Sequence, residues 1–391
     1  MSCWEKQHSR PFLFPDIPQT EKDIFPEDVL IWSGRFPALD TPKHPVSFFS
    51  LNGLDCKASI VLLPLLASAG LIVPKIIWPS QAEGNSLQNN LYAIPGMKLT
   101  LTPDEMRSTL QSSGGLFTSA PESLRTHHDR ISSSVKSEWQ LFSLISLLTL
   151  NSLDAKSVVY DIKINDSLSC FDIKSARDSV LALKEYSERL GIKASYFLSY
   201  MHQPLGQALG PVLELIETLE ILKGRGPHDI KKLVLELGAE ILVLANKAAS
   251  RIEAKSTLKD LILRGDPLNK IEEIIKAQGG NAKIVNDYSA LPQADQRIPV
   301  RSSKTGFVAR VKISRLIILK ERLMRIHPGA GLVFQRNIGD PVKKGDILVE
   351  LYFPVPRCPA RLQEEIRNVI LVADRPPAFF PFIAEKIREN F

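Results

Sequence analysis

The sequence predicts an α/β protein built from an α/β domain with a largely parallel sheet, a helical domain and a small C-terminal α+β domain. Helical and strand-like patterns alternate from residue 55 to residue 199, as they do where helices connect parallel strands. From residue 206 to 278 the pattern is almost wholly helical, and β-branched runs return after residue 304. A chain of 391 residues, 44% of them hydrophobic, is long enough for two or three such domains.

The α/β domain is predicted over residues 46–200. Its first helix is the apolar run 58–69, which ends at Gly70, and a short β-rich run follows. Thr102-Pro103-Asp104-Glu105 is a capping box with proline at the first helical position, and Gly114 and Gly115 end that helix. These signals predict a helix, a strand and a second helix in that order.

The second half of this domain contains its central strands. Residues 137–151 predict a mostly apolar helix, and 157–164 (SVVYDIKI) is apolar enough for a strand buried on both faces. Asp172 caps a helix that runs to Gly191, and residues 193–199 predict the next strand.

The remaining chain divides into four predicted parts. Residues 1–45 hold seven of the 27 prolines and predict an extended arm. This leaves only a shortened helical region at the N-terminus. Residues 201–280 predict a helical segment, and residues 281–304 a linker. Residues 305–391 predict the C-terminal α+β domain, in which the strands of 338–352 are joined around Lys344-Gly345-Asp346.

Composition narrows the class of protein. No apolar run is long enough to cross a bilayer, and the N-terminus lacks the apolar core of a signal peptide, so we expect a cytoplasmic protein without a membrane partner. The four cysteines (Cys3, Cys56, Cys170 and Cys358) are far apart, which predicts free thiols instead of a disulfide framework. No metal site is predicted.

A basic segment spans residues 297–325, with nine Lys and Arg against Glu321 alone. Only Phe307 is aromatic there, and no nucleic-acid recognition motif is present. We therefore expect a solvated charged face, with nucleic-acid binding through this segment as the less favoured alternative.

The block from Met201 to Gly210 (MHQPLGQALG), continued by LKGRGPHD and LVLEL, resembles the thymidine and pyrimidine-nucleoside phosphorylase family. Supporting blocks are Ile94-Pro95-Gly96, Tyr160-Asp161-Ile162-Lys163 and GDPVKKGD (339–346). The resemblance is collinear from about residue 33 to 385. It implies reversible phosphorolysis of a nucleoside, with inorganic phosphate as co-substrate and no other cofactor, and it implies the three domains described above.

The family's first phosphate loop aligns with residues 47–57. The resemblance retains Ser50, Lys57 and Ser59 as residual phosphate-binding residues. The phosphate-contacting lysine has become Phe48 and the neighbouring histidine Phe49, while Asp55 replaces a glycine. All three changes make the local electrostatic potential less favourable for binding a dianion.

The second glycine-rich block of the family aligns with residues 77–96. The serine and threonine that contact phosphate fall on Ile77 and Leu87, and family glycines fall on residues such as Trp78. A nest of backbone N–H groups that would hold an anion is therefore not expected here.

For the base site, the resemblance places the base-binding arginine on Arg130, with Asp129 as the alternative if the alignment carries a short insertion. The family's serine and lysine fall on Ile145 and Thr149. Arg130 is thus the one residual base-binding residue, and no catalytic residue is assigned.

Besides the less favoured nucleic-acid binding, two functions of the nucleoside site remain open from the sequence. One is a phosphorylase-like pseudoenzyme that acts as a non-catalytic binding or partner protein, with a pyrimidine nucleoside or related small ligand as its expected partner. The other is a low-activity pyrimidine-nucleoside phosphorylase, a pentosyltransferase that cleaves thymidine or uridine. The resemblance also implies a homodimer. In the family, N-terminal helices form much of the dimer contact, and they have no counterpart in the proline-rich arm, so the dimer stays an open question for this chain.

Overall fold

The structure is a computed structural model. It describes residues 46–51, 57–78, 86–122, 155–164, 172–354, 360–378 and 381–388, together with a few single positions between 125 and 153. The predicted arm 1–45, most of the predicted helix 137–151, the four cysteines and the pair Asp129 and Arg130 lie outside the described residues.

A four-stranded sheet forms the centre of the first half of the chain. Its spatial order is β1 (Val46–Leu51), β4 (Ser157–Ile164), β5 (Lys193–Tyr200) and β13 (Ile383–Arg388). The first three strands are parallel, and β13 lies antiparallel to β5. All eight residues of β4 are buried, which confirms the predicted central strand and the largely parallel sheet.

A parallel pair and four helices accompany this sheet. The elements are β2 (Val73–Ile77), β3 (Gly115–Ser119), α1 (Lys57–Ser68), α2 (Ser86–Tyr92), α3 (Pro103–Ser113) and α4 (Ile173–Arg189). The predicted capping box is present at α3, because the Thr102 side chain accepts the Glu105 N–H and the Glu105 side chain accepts the Thr102 N–H. Asp172 caps α4 as predicted.

The predicted helical segment consists mainly of four helices. They are α5 (Pro211–Leu222), α6 (His228–Leu244), α7 (Arg251–Arg264) and α8 (Asp266–Ala277). Apolar side chains of α5, α6 and α8 share one hydrophobic core with α1 and with β1. This core therefore joins the sheet to the helical segment.

The C-terminal part holds two further sheets and two helices. One sheet has the order β6 (Ala208–Leu209), β9 (Gly331–Phe334), β11 (Ile347–Phe353) and β7 (Gln296–Arg301), and the other has β10 (Pro341–Val342), β8 (Gly306–Val311) and β12 (Ile370–Ala373). The helices are α9 (Ile313–Ile326) and α10 (Ala360–Val369). Together with the elements above, these sheets confirm the predicted fold class.

Two details differ from the sequence expectations. The predicted linker 281–304 contains β7, which pairs with β11. The strands β10 and β11 do flank the predicted turn at Lys344–Asp346, but they belong to different sheets, because β10 pairs with β8. None of the helices within the described ranges combines the length and the hydropathy needed to cross a bilayer.

Candidate functional site

The carboxyl ends of the parallel strands β1, β4 and β5 lie at one edge of the first sheet, where open α/β sheets commonly bind ligands. The residues that the resemblance assigns to phosphate lie on β1, on α1, at the end of β2 and on α2.

The three positions assigned to phosphate-contacting side chains hold apolar residues in one hydrophobic core. Phe48 is 5% exposed, Ile77 5% and Leu87 7%, and all three belong to the core that joins α1, α5 and α6. A ring and two aliphatic chains therefore occupy positions where a dianion would need a cation and two hydroxyl groups.

Lys75 on β2 brings an ammonium group to the same place. Its Nζ donates a hydrogen bond to the Phe48 carbonyl oxygen at 2.8 Å and lies 4.3 Å from the centroid of the Phe48 ring. Burial lowers the pKa of Lys75 to about 7. The sequence analysis missed this residue, although a lone lysine in the apolar strand VPKII was a visible signal.

Lys57 is the first residue of α1 and is 1% exposed. Its Nζ donates hydrogen bonds to the Ala208 carbonyl oxygen and to Glu217 Oε2, both at 2.8 Å. Glu217 Oε1 in turn accepts the backbone N–H groups of Gln207 and Ala208. The Lys57 ammonium therefore anchors the turn that carries the MHQPLGQALG block.

The close packing of this turn explains its glycine. Gly206 has a φ of +70°, and a Cβ built on it would lie 2.4 Å from Glu217 Oε2. Only glycine fits both the left-handed backbone and the close approach of the carboxylate. The motif thus serves the attachment of α1 to α5.

The other two residual phosphate residues are placed as follows. Ser59 lies on α1 and is 4% exposed. Ser50 lies on β1, opposite Asp161 in the parallel register with β4, and its side chain is outside the described part of the structure.

Two of the three base-site positions are linked to the second phosphate block. The Trp78 Nε1–H donates to Thr149 Oγ1 at 2.9 Å, and the Thr149 hydroxyl donates to the Ile145 carbonyl oxygen at 2.8 Å. Thr149 is 2% exposed. The indole that the resemblance aligns with a family glycine is therefore hydrogen-bonded to the residue that it aligns with the family lysine.

A buried ion pair that the sequence analysis did not single out lies near the carboxyl edge of the sheet. Lys163 Nζ is 2.7 Å from Asp161 Oδ2, and the Ser199 hydroxyl donates to Asp161 Oδ1 at 2.5 Å. All three side chains are at most 2% exposed. Asp161 and Lys163 occur in the Tyr160–Lys163 block that supported the resemblance, so the motif could have indicated them.

A second buried network joins α5, α9 and α2. Glu214 Oε1 lies 2.6 Å from Lys320 Nζ, and the Asn90 side-chain amide donates to Glu214 Oε2 at 2.9 Å. Burial by itself raises the pKa of Glu214, but the ammonium groups of Lys320 and Lys57 outweigh it and hold the pKa below its usual range. The carboxylate is therefore charged inside the protein.

Comparison with known proteins decides the family. The pyrimidine-nucleoside phosphorylase of Geobacillus stearothermophilus is 30% identical over 333 residues, which cover 81% of this chain and 75% of that protein. The chain belongs to the pyrimidine-nucleoside phosphorylase family. The enzyme of that name from Bacillus subtilis is also 30% identical, over 78% of this chain and 73% of its own length.

Other known proteins resemble this chain with lower sequence identity. The Staphylococcus aureus protein of the same name is 28% identical over 318 residues. The crystal structure of anthranilate phosphoribosyltransferase from Thermus thermophilus matches 60% of this chain and 78% of that one, with a TM-score of 0.46 and 15% identity. No protein-family model matches.

Across the described ranges, no group of three or more His, Cys, Asp and Glu side chains is arranged to hold a metal ion.

Proposed function

We propose that this member of the pyrimidine-nucleoside phosphorylase family has lost ordinary phosphorolysis and acts as a non-catalytic binding or partner protein. The observation that carries this proposal is the burial of Phe48, Ile77 and Leu87 in one hydrophobic core, at the positions assigned to phosphate contacts. A pyrimidine nucleoside or a related small ligand without a phosphate dianion is the proposed ligand.

Electrostatics supports the loss of phosphorolysis. Replacing a lysine beside a dianion by Phe48 removes a unit positive charge. The lost attraction between two unit charges is on the order of 4 kcal/mol at ~4 Å with an effective dielectric constant of ~20. Lys75 offers an ammonium nearby, but its Nζ is held by the Phe48 carbonyl and its charged form is disfavoured by burial. The retained Lys57 is held by Glu217 and Ala208.

A low-activity phosphorylase is the alternative that the test must separate. It would rely on Ser50, Lys57, Ser59 and Arg130. Family membership at 30% identity favours it, because relatives over most of the chain carry the name of the enzyme.

Release of free base tests the proposal. The purified chain is incubated with thymidine or uridine and inorganic phosphate, beside the Bacillus subtilis relative as a positive control. We expect no release above the uncatalysed rate. Phosphate-dependent release above the uncatalysed rate would contradict the proposal and indicate a low-activity phosphorylase, and turnover on the order of 1 per second would indicate an ordinary enzyme.

This proposal includes a cytoplasmic location for the protein. Fractionation of cells that express the full chain tests it, because recovery in a membrane or secreted fraction would contradict it.

A further inference from the structure

Two loops of the C-terminal part meet and form one surface. The loop 302–305 connects β7 to β8, and the turn 343–346 connects β10 to β11. The Ser302 N–H donates to the Asp346 carbonyl oxygen at 2.8 Å, and the Gly345 N–H donates to the Ser302 carbonyl oxygen at 2.9 Å. These bonds hold two segments that are about 40 residues apart in sequence at one tip of the fold.

Five basic side chains gather around these loops. They are Arg301, Lys304, Lys343, Lys344 and Arg367, which we call the basic tip. The first four residues are exposed and Arg367 is partly exposed. Arg301 Nη1 donates to the Gly345 carbonyl oxygen at 2.9 Å, and Arg367 Nε donates to the Arg301 carbonyl oxygen at 3.1 Å. Each guanidinium is therefore fixed through one N–H and has further donors for another acceptor.

The charge of the basic tip is not balanced within the described ranges. None of its five side chains forms an ion pair there, whereas the flanking Arg297 and Arg322 pair with Glu350 and Glu365. The carboxylate of Asp346, in the same turn, accepts the backbone N–H of Lys343 and lies 3.8 Å from Arg336.

The side chains of the basic tip suit some polyanions better than others. Arginine forks and lysine ammonium groups match phosphate oxygens. The large apolar side chains that are exposed in the described structure lie outside both loops, so the tip offers nothing to insert into a lipid bilayer. Neither loop carries an aromatic ring that could stack on a base.

We propose that the basic tip binds the phosphate backbone of nucleic acid without recognising base sequence. The sequence expectation, a solvated face with nucleic-acid binding as the alternative, treated residues 297–325 as one segment. In the structure that segment divides, since Lys320 is buried against Glu214 while Arg301 and Lys304 join cations from residues 343–367. The proposal does not depend on whether phosphorolysis is lost.

Fluorescence anisotropy with a labelled random duplex of about 20 base pairs tests this proposal on the full chain. We expect a dissociation constant on the order of 10 μM at about 50 mM salt, and weakening on the order of 100-fold at about 200 mM if about four phosphates are contacted. A duplex of different sequence should bind equally well.

Two variants with the same loss of charge sharpen the test. Lys304→Gln/Lys343→Gln/Lys344→Gln should weaken binding by about tenfold or more at low salt. The control is Lys232→Gln/Lys259→Gln/Lys283→Gln, which removes three exposed lysines elsewhere and should leave the affinity within about twofold. Circular dichroism and urea midpoints should show that both variants fold.

Several results would overturn the proposal. An equal loss of affinity in both variants would assign binding to net charge alone, and binding that does not depend on salt would exclude phosphate contacts. Association with vesicles of anionic phospholipid, or with an acidic peptide, without association with DNA would assign the tip to another partner.

Discussion

At the scale of one residue, the ammonium group of Lys75 beside Phe48 affects the stability of the fold. Its ammonium group lies against the ring and the carbonyl oxygen of Phe48, in a strand that is otherwise apolar. Because burial lowers its pKa from 10.5 to about 7, the unfolded chain binds this proton more tightly than the folded protein does. The charge on Lys75 therefore destabilises the fold fully below about pH 7, and this penalty is lost as the pH rises towards 10.5.

Replacing this lysine should stabilise the fold in a pH-dependent manner. We expect Lys75→Met to raise the free energy of unfolding at pH 7 and below, because the buried ammonium is then absent. The gain should shrink as the pH rises from about 7 and be smallest above about 10.5, where the wild-type lysine is neutral in both states. Urea unfolding of both proteins at several pH values measures this, and a gain that does not change with pH would contradict it.

Lys57 provides a second residue-scale prediction. Lys57→Met leaves the Glu217 carboxylate buried without its ammonium partner, so we expect a loss of about 3–5 kcal/mol in the free energy of unfolding. Adding Glu217→Gln should recover part of this loss, because no unpaired charge then remains. A wild-type urea midpoint for Lys57→Met would contradict the structural role of this lysine.

The sequence alone assigns the positions of Phe48, Ile77 and Leu87 to phosphate contacts, because each lies in a block that is collinear with the family, and this assignment remains a prediction. Their membership of one core could not be predicted from the sequence, since it depends on how α2 packs against β1 and β2. Lys75 was missed because no family motif contains it and a single lysine has no pattern.

At the scale of elements, the sequence predicted a helix or strand correctly where the residues that determine it lie within one segment. The capping box of α3 and the apolar run of β4 were predicted because their causes lie within a few residues. β13 was not predicted, because its partner β5 lies almost 190 residues earlier and its sequence IAEKIR is only partly apolar. Pairing over that distance leaves no local signal.

The attachment of β13 can be tested through its charges. The fully buried Glu240 on α6 is contacted by Lys386 and Arg388 of β13, and these groups hold its pKa below the usual range although burial by itself raises it. We expect Lys386→Met/Arg388→Gln to lower the free energy of unfolding by about 3 kcal/mol, and added Glu240→Gln to restore part of it.

Arg177 supplies the matched control for this element. It pairs with Glu385 on the same strand, but both side chains are partly exposed, so Arg177→Gln should cost less than about 1 kcal/mol. Urea titration compares the variants. Equal losses from the exposed and the buried pair would contradict the assigned role of Glu240.

At the scale of the whole molecule, buried polar contacts join the parts that would flank a ligand cleft. Lys57 connects α1 to α5, and Lys320 connects α9 to α5, with Asn90 of α2 on the same Glu214 carboxylate. These contacts and the shared apolar core pack α1, α2 and α5 together with Phe48, Ile77 and Leu87. The proposed loss of phosphorolysis therefore concerns the anion contacts and not this scaffold.

Binding of inorganic phosphate tests this account most directly. Isothermal titration calorimetry should use the variant Lys304→Gln/Lys343→Gln/Lys344→Gln, so that the basic tip cannot contribute, with the Bacillus subtilis relative as a positive control. The account predicts no saturable binding of phosphate up to about 10 mM, with or without thymidine or uridine. Saturable one-to-one binding with a dissociation constant below about 1 mM would show that the site still accepts a dianion and would contradict the account.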